Sequence, residues 1–191
     1  LGDVYKRQVD ERVVAFDEEE GILCVDVGDE QGGEGEALFV AEFAAWKIGA
    51  VFVPLNPTYS AAELVGPLQT TGAVIVVAMS SLYEMVKEAQ PKTSVRTVIL
   101  TGIKEWLPPV LRLLFTLTRE RKDGHRPTTR DEDPWLPALL AKHHGTPPDA
   151  LRCAVDDDAL LLMSGGTTGI PKAVRIHHHA LVQTGVQVRA W

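Results

Sequence analysis

Helical and extended stretches alternate along most of this chain, and that alternation constrains the fold more than any other feature. Apolar residues recur at helical spacing over 37–47, 61–70 and 81–89. Short apolar runs stand between them, at Ile22 to Val27, Val51 to Val53, 73–78 and 95–100. A chain that alternates this way is expected to fold as α/β, a mostly parallel sheet flanked by helices. Arg12 to Phe16 reads as one more strand, in a hairpin with 22–27 across Asp17–Gly21. Asn56-Pro57 reads as a turn, and Ser60 with Glu63 as a capping box for the helix that follows. Residues 103–150 break the rhythm as an irregular, partly helical excursion, loosest over Asp123 to Asp133. Strand 159–163 then resumes it.

That last strand delivers the stretch richest in chemistry, Ser164-Gly165-Gly166-Thr167-Thr168-Gly169-Ile170-Pro171-Lys172. It holds three glycines, three hydroxyls and a lysine, and no acid. Glycine lets backbone N–H groups line a concave anion nest. Ser164, Thr167 and Thr168 add hydroxyl donors, and Lys172 adds a compact cation. Pro171 stiffens the exit and holds Ile170 extended. The string therefore suits a polyphosphate far better than a plain surface turn. Lys172 to Ile176 alternates polar and apolar, so the context is strand–loop–strand. The nucleotide loop with Gly-x-x-x-x-Gly-Lys-Ser/Thr spacing, which opens a helix, is excluded on both counts.

Charge and composition narrow the rest. Apolar residues make up 45% and charged residues 24%, as in soluble globular proteins. The net charge of −7 argues against general nucleic-acid binding. No apolar run nears the ~20 residues of a membrane span. Cys24 and Cys153 form no metal or redox spacing, which fits a reducing cytoplasm. Neighbours on a strand face opposite ways, so His177-His178-His179 are not assigned as metal ligands, and a helical-looking stretch begins near His178. His143-His144 is read as exposed. Residues 101–130 carry seven Lys/Arg against three Asp/Glu, beside Leu111, Leu113, Leu114, Phe115 and Leu117. The first reading of that segment is a solvated helix packed on the domain. The second is a peripheral contact through 106–122 with an anionic membrane face.

Met163 to Leu181 resembles the signature of the AMP-forming acyl-CoA synthetase superfamily, the acyl-adenylate-forming ligases. The double glycine is most like the bacterial long-chain fatty-acid–CoA ligases. Ala173 stands where the family has glycine, and His177 where it has threonine. Ala44 to Pro57, with Trp46-Lys47-Ile48-Gly49-Ala50 and Val53-Pro54-Leu55-Asn56-Pro57, resembles the family's helix–strand–turn. Trp106 to Phe115 resembles an insert of the long-chain ligases. Gly28–Gly35, acidic and glycine-rich, departs from the family pattern, as insertion, divergence or a frame error would.

The resemblance implies the N-terminal part of an adenylate-forming large domain, spanning 9–191 and incomplete. It implies ATP, Mg²⁺ and coenzyme A as cofactor and cosubstrates, a fatty acid as substrate, and a cytoplasmic place of work, with the inner membrane face as a peripheral site. Ser164, Gly165, Gly166, Thr167, Thr168, Gly169 and Lys172 would hold the ATP phosphates. The catalytic lysine, the Mg²⁺-binding Thr-Glu segment and the ribose-gripping aspartate are expected beyond Trp191, so these 191 residues alone are expected to be inactive. Two other readings stay open, an adenylation module that loads a carrier protein and a truncated, non-catalytic nucleotide-binding protein. Residues 1–8, with Asp3-Val4-Tyr5-Lys6-Arg7-Gln8, resemble a translated sequencing adaptor and are set aside from the fold.

Overall fold

The structure is a computed structural model and describes residues 22–26, 34–122, 124–125, 127–130, 132–144, 153–164 and 172–191. Among these, six strands form one sheet. β1 is Ile22–Asp26, β2 Val51–Leu55, β3 Ile75–Met79, β4 Thr97–Thr101, β5 Asp158–Ser164 and β6 Lys172–His177. Their order is β4-β3-β1-β2-β5-β6. The first five pair in parallel, and β6 runs antiparallel to β5. The helices are α1 Glu34–Lys47, α2 Ala61–Thr71, α3 Tyr83–Ala89, α4 Pro109–Thr118, α5 Leu136–Lys142 and α6 His178–Arg189.

The expected hairpin of 12–16 with 22–27 is corrected by β1. Leu23 to Val25 pair with β2 on one side and β3 on the other, so no backbone edge is left for a third partner. Residues 12–16 themselves lie outside the described residues. So does most of the acidic 28–35 stretch, whose last two residues open α1.

Both faces of the sheet are covered, which explains the continuous apolar reading of its strands. One face packs Phe52, Ile75, Val77 and Ile99 against α1 and Leu136 of α5. The other packs Val53, Leu55, Val76, Val98 and Leu100 against Leu64 and Leu68 of α2 and Tyr83 and Val86 of α3. The stripe of α1 that meets the sheet is small, with Ala37, Ala41, Ala44 and Ala45 buried while Phe39 and Phe43 stand half in water. Alanine lets the helix axis approach the strands closely, so its larger residues are left at the sides.

Local signals act as the sequence suggested. Ser60 Oγ accepts from Glu63 N, and Glu63 accepts from Ser60 N at 2.8 Å, closing the capping box. Those bonds hold the exposed Glu63 carboxyl below its usual range. Asn56 Oδ1 accepts from Thr58 N at 3.0 Å and shapes the turn. Gly72 ends α2 at φ 68°, a left-handed position that favours glycine. The excursion after β4 returns beside it, where Leu100 N donates to Pro134 O at 2.9 Å.

Candidate functional site

Ser164 ends β5 and Lys172 opens β6, and the two are paired across the hairpin. Lys172 N lies 3.4 Å from Ser164 Oγ and donates to it. The neck of the seven-residue loop 165–171 is thereby closed. Gly165, Gly166, Thr167, Thr168 and Gly169 lie outside the described residues. Of the seven residues expected to hold phosphate, Ser164 and Lys172 are therefore the two that the structure brings together. The strand–loop–strand context is as expected. β5 is parallel to its neighbour β2, so its carboxyl end lies on the edge where open α/β sheets bind ligands. Lys172 is exposed there and Ser164 half-buried.

The far end of the same hairpin is braced from several sides. Asp158 pairs with His177 and Leu160 with Ile176, so Ala159 is an extra residue, a β-bulge. Its carbonyl accepts a 2.8 Å bond from Trp46 Nε1 on α1. Asp158 Oδ2 accepts from Arg175 Nε at 2.7 Å. His177 Nδ1 stands 3.3 Å from Asp158 Oδ1, near enough for charge attraction but off the line of a hydrogen bond.

The helix expected to begin near His178 is present, and the three histidines do not share one strand. His177 ends β6 while His178 and His179 begin α6. Their rings turn to separate partners. His177 faces Asp158, His178 packs edge-on to Trp46 at 5.9 Å, and His179 faces Gln183.

At the other end of the carboxyl rim, beyond β3 and β4, lies a small polar cleft lined by Ser80, Gly102, Lys104, Glu105, Glu120 and His125. Two pairs form within it, while Glu105 Oε2 is buried without a hydrogen-bond partner among the described residues. Lys104 pairs with the buried Glu120, and Ser80 Oγ lies 3.2 Å from His125 Nδ1. Burial pushes the Glu105 carboxyl up. This cleft fastens the excursion to the sheet.

A second fastening was invisible in the sequence. Tyr83 Oη donates to Asp133 Oδ2 at 2.7 Å, and Lys87 Nζ lies 2.9 Å from the same oxygen. Arg130 N donates to Tyr83 Oη at 3.1 Å. Burial, then Asp133, pushes the Tyr83 phenol up. Tyr83 and Lys87 share a helix face, but their partner lies 50 residues from Tyr83, beyond any local pattern. Glu42, half-buried on α1, was also missed, and burial pushes its carboxyl up to about 6. Among the described residues no cluster of three or more His, Cys, Asp or Glu is placed to hold a metal ion.

Comparisons with known proteins complete the picture. The model of the AMP-binding enzyme family matches residues 33–191. A long-chain-fatty-acid–CoA ligase of Salmonella typhimurium is 28% identical over 153 residues, 79% of this chain and 27% of that protein. The crystal structure of a long-chain-fatty-acid–CoA ligase from Archaeoglobus fulgidus superposes with a TM-score of 0.61 at 22% identity, over 96% of this chain and 29% of that one. The A-PCP didomain of carboxylic acid reductase from Segniliparus rugosus, solved in complex with AMP, gives a TM-score of 0.62 at 17% identity, over 92% and 24%. At those identities the two structures speak for the fold alone. The chain spans about a quarter of the length of the curated relatives it matches.

Proposed function

The chain belongs to the AMP-binding enzyme family, and from that premise we propose that the whole protein is an AMP-forming ligase that activates a long-chain fatty acid and passes it to coenzyme A. A carboxylate oxygen of the acid attacks the α-phosphorus of ATP. The bond to the β-phosphate breaks, pyrophosphate leaves, and an acyl-adenylate remains. The thiol of coenzyme A then attacks the acyl carbon, loses its proton, and displaces AMP to give a thioester. Likeness to the Salmonella typhimurium ligase supports the choice of acid and acceptor.

Residues 164–172 serve the first step. Fixed amide and hydroxyl donors with one cation favour the charge that builds on the leaving pyrophosphate. In this reading Gly165, Gly166, Thr167, Thr168 and Gly169 cradle the β- and γ-phosphates, with Ser164 and Lys172 at the neck. The observation that carries it is the closure of that neck, Ser164 paired with Lys172, at the carboxyl end of a strand in a parallel sheet. The stretch 163–176 holds no carboxylate. Its donors fit phosphate oxygens, and with no carboxylate to anchor a magnesium ion no step is assigned here to the metal. We place the remaining catalytic groups on chain beyond these 191 residues, which by themselves would not catalyse adenylation. The cytoplasm, with its ATP and coenzyme A, is the compartment this reading expects.

The test is ATP–pyrophosphate exchange driven by a long-chain fatty acid in the full-length protein. Thr167→Ala should lower the exchange rate about 10²-fold, the usual cost of one lost oxyanion donor. Near-normal exchange would remove the loop from this role. The likeness to the A-PCP didomain gives a second reading, transfer to a carrier protein in place of coenzyme A. Release of AMP with a phosphopantetheinylated carrier but none with coenzyme A would favour it.

A further inference from the structure

One side chain that reaches a backbone oxygen can fix how a whole unit sits on a fold. α4 shows this at short range. It buries no residue, which corrects the expectation of a helix packed on the domain. Its place is set by Arg112, whose Nε donates to Lys104 O at 2.9 Å and whose Nη2 donates to Glu105 O at 2.7 Å. Trp46 does the same at long range, across 113 residues of chain.

The unit that Trp46 holds is the β5–β6 hairpin. Among the described residues its tie to the parallel sheet is light. β5 meets β2 at one registered pair, Phe52 with Leu160, where β1 meets β2 at five. β6 has β5 as its one ladder partner among the described residues, so it follows wherever β5 is held. The base of the hairpin is also irregular, because a bulge disrupts the ladder locally and Ala159 is the extra residue. Trp46 Nε1 donates to the carbonyl of this same residue at 2.8 Å, and Ala159 is fully buried. The indole also packs edge-on to His178, the first residue after β6, with ring centres 5.9 Å apart. Phe43, one turn earlier on α1, packs edge-on to the indole at 5.2 Å. One side chain of α1 thus touches β5 at its bulge and the chain as it leaves β6. Packing does not need the N–H, since a phenyl ring would fill much of the same space with no polar atom to satisfy.

Ser164 and Lys172 are paired at the other end of the hairpin, roughly 17 Å along β5 from Ala159. Trp46 therefore touches nothing bound at the neck and acts through the hairpin. We propose that Trp46 is a positioning residue for the phosphate site. By holding Ala159 and His178 against the end of α1, it keeps Ser164 and Lys172 where the phosphates of ATP are met. The inference rests on the reading of 164–172 given above and adds to it a residue that touches no substrate.

The test is Trp46→Phe in the full-length protein, which keeps a ring beside His178 and removes the N–H. Two measurements separate positioning from packing. Backbone hydrogen exchange, without nucleotide, should speed at 160–164 and 172–177 by about tenfold more than in β1, β3 and β4, because the hairpin opens locally while the rest of the sheet does not. In ATP–pyrophosphate exchange the KM for ATP should rise about fivefold, with the KM for the fatty acid unchanged. A packing defect alone lowers the amount of folded protein, and so the maximal rate, without moving one KM. Hydrogen exchange that rises equally in all the strands would overturn the proposal. So would an unchanged KM for ATP in a protein whose Thr167→Ala variant loses activity, an outcome that leaves the reading of the loop standing. Normal activity in both variants would remove that reading, and the inference with it.

Discussion

At its β4–β3 end the sheet is roofed by the chain's own excursion, and at its β5–β6 end the described residues cover it less completely, with Ile176 and Leu181 packed against the core. At the roofed end β3 is buried at all five positions, and Asp133 is fastened under the Tyr83–Lys87 side of α3. At the β5–β6 end Leu162, Val174, Val182 and Val186 are 42, 49, 67 and 64% exposed. The two ends share one parallel framework, yet at the roofed end Tyr83, Lys87 and Asp133, and Lys104 and Glu120, are spent on one another. At the loop neck, Ser164 and Lys172 stand at the rim. Under the function proposed above, the first end is scaffold and the second carries the phosphate site, so substitutions at the two ends should report on different quantities.

The largest effect should come from Asp133→Ala. It leaves the Lys87 ammonium, whose side chain is 8% exposed, with only the exposed Glu132 at 4.0 Å among the described residues, and the Tyr83 hydroxyl without its acceptor. Breaking a buried pair on one side costs about 3–5 kcal/mol, so urea unfolding should show a loss of that size. A loss under 1 kcal/mol would mean that the roof is not fastened there. Trp46→Phe keeps most of the packing but leaves the Ala159 carbonyl unanswered, and should cost about 1–3 kcal/mol.

Glu42→Gln tests the shared framework between the ends. Its folded carboxyl titrates at about 6, above its ordinary value of 4.5, so the fold binds that proton more tightly than the unfolded chain. Stability from this group is present below pH 4.5 and is lost as the pH rises through about 6. The Gln variant should match the wild type at pH 4 and exceed it at pH 7 by about 1 kcal/mol, discounted because the group is partly in water. A gain equal at both pH values would remove the charge explanation. Smallest in stability is Lys172→Ala, within about 0.5 kcal/mol because the side chain is exposed. If the phosphate site is read correctly, the same change lowers ATP–pyrophosphate exchange in the full-length protein by more than tenfold.

What could be read from the sequence follows the range of the forces involved. The capping box at Ser60 and Glu63, the turn at Asn56 and the β5–loop–β6 order are local, and they were legible because the deciding residues lie within a few positions of each other. The strand order was not legible. Nothing near Ile22 says that it will be flanked on both sides by later strands, and the hairpin expected there gave way to that long-range pairing. The switch from strand to helix near His178 was legible even inside three identical residues. α4 was found as a helix with the right composition, but its direction was set by Arg112 reaching two backbone carbonyls of the preceding turn. The Tyr83–Lys87–Asp133 contact had no sequence signal at all.

The extra residue at Ala159 carries a consequence for the loop above it. Below the bulge, His178 N and His179 N are bonded to Asp157 O and Val155 O, which ties the start of α6 to the turn before β5. Above it, Leu160 is in register with Phe52 of β2, and every pair up to Ser164–Lys172 keeps step with Leu160–Ile176. Ala159 is thus a one-residue spacer between two clamps whose registers disagree by one. A deletion there would leave residues 164–172 untouched and still force one clamp open. If the upper clamp yielded, Ser164 and Lys172 would fall out of step. The pairing at the neck is thus set at the opposite end of its own strand.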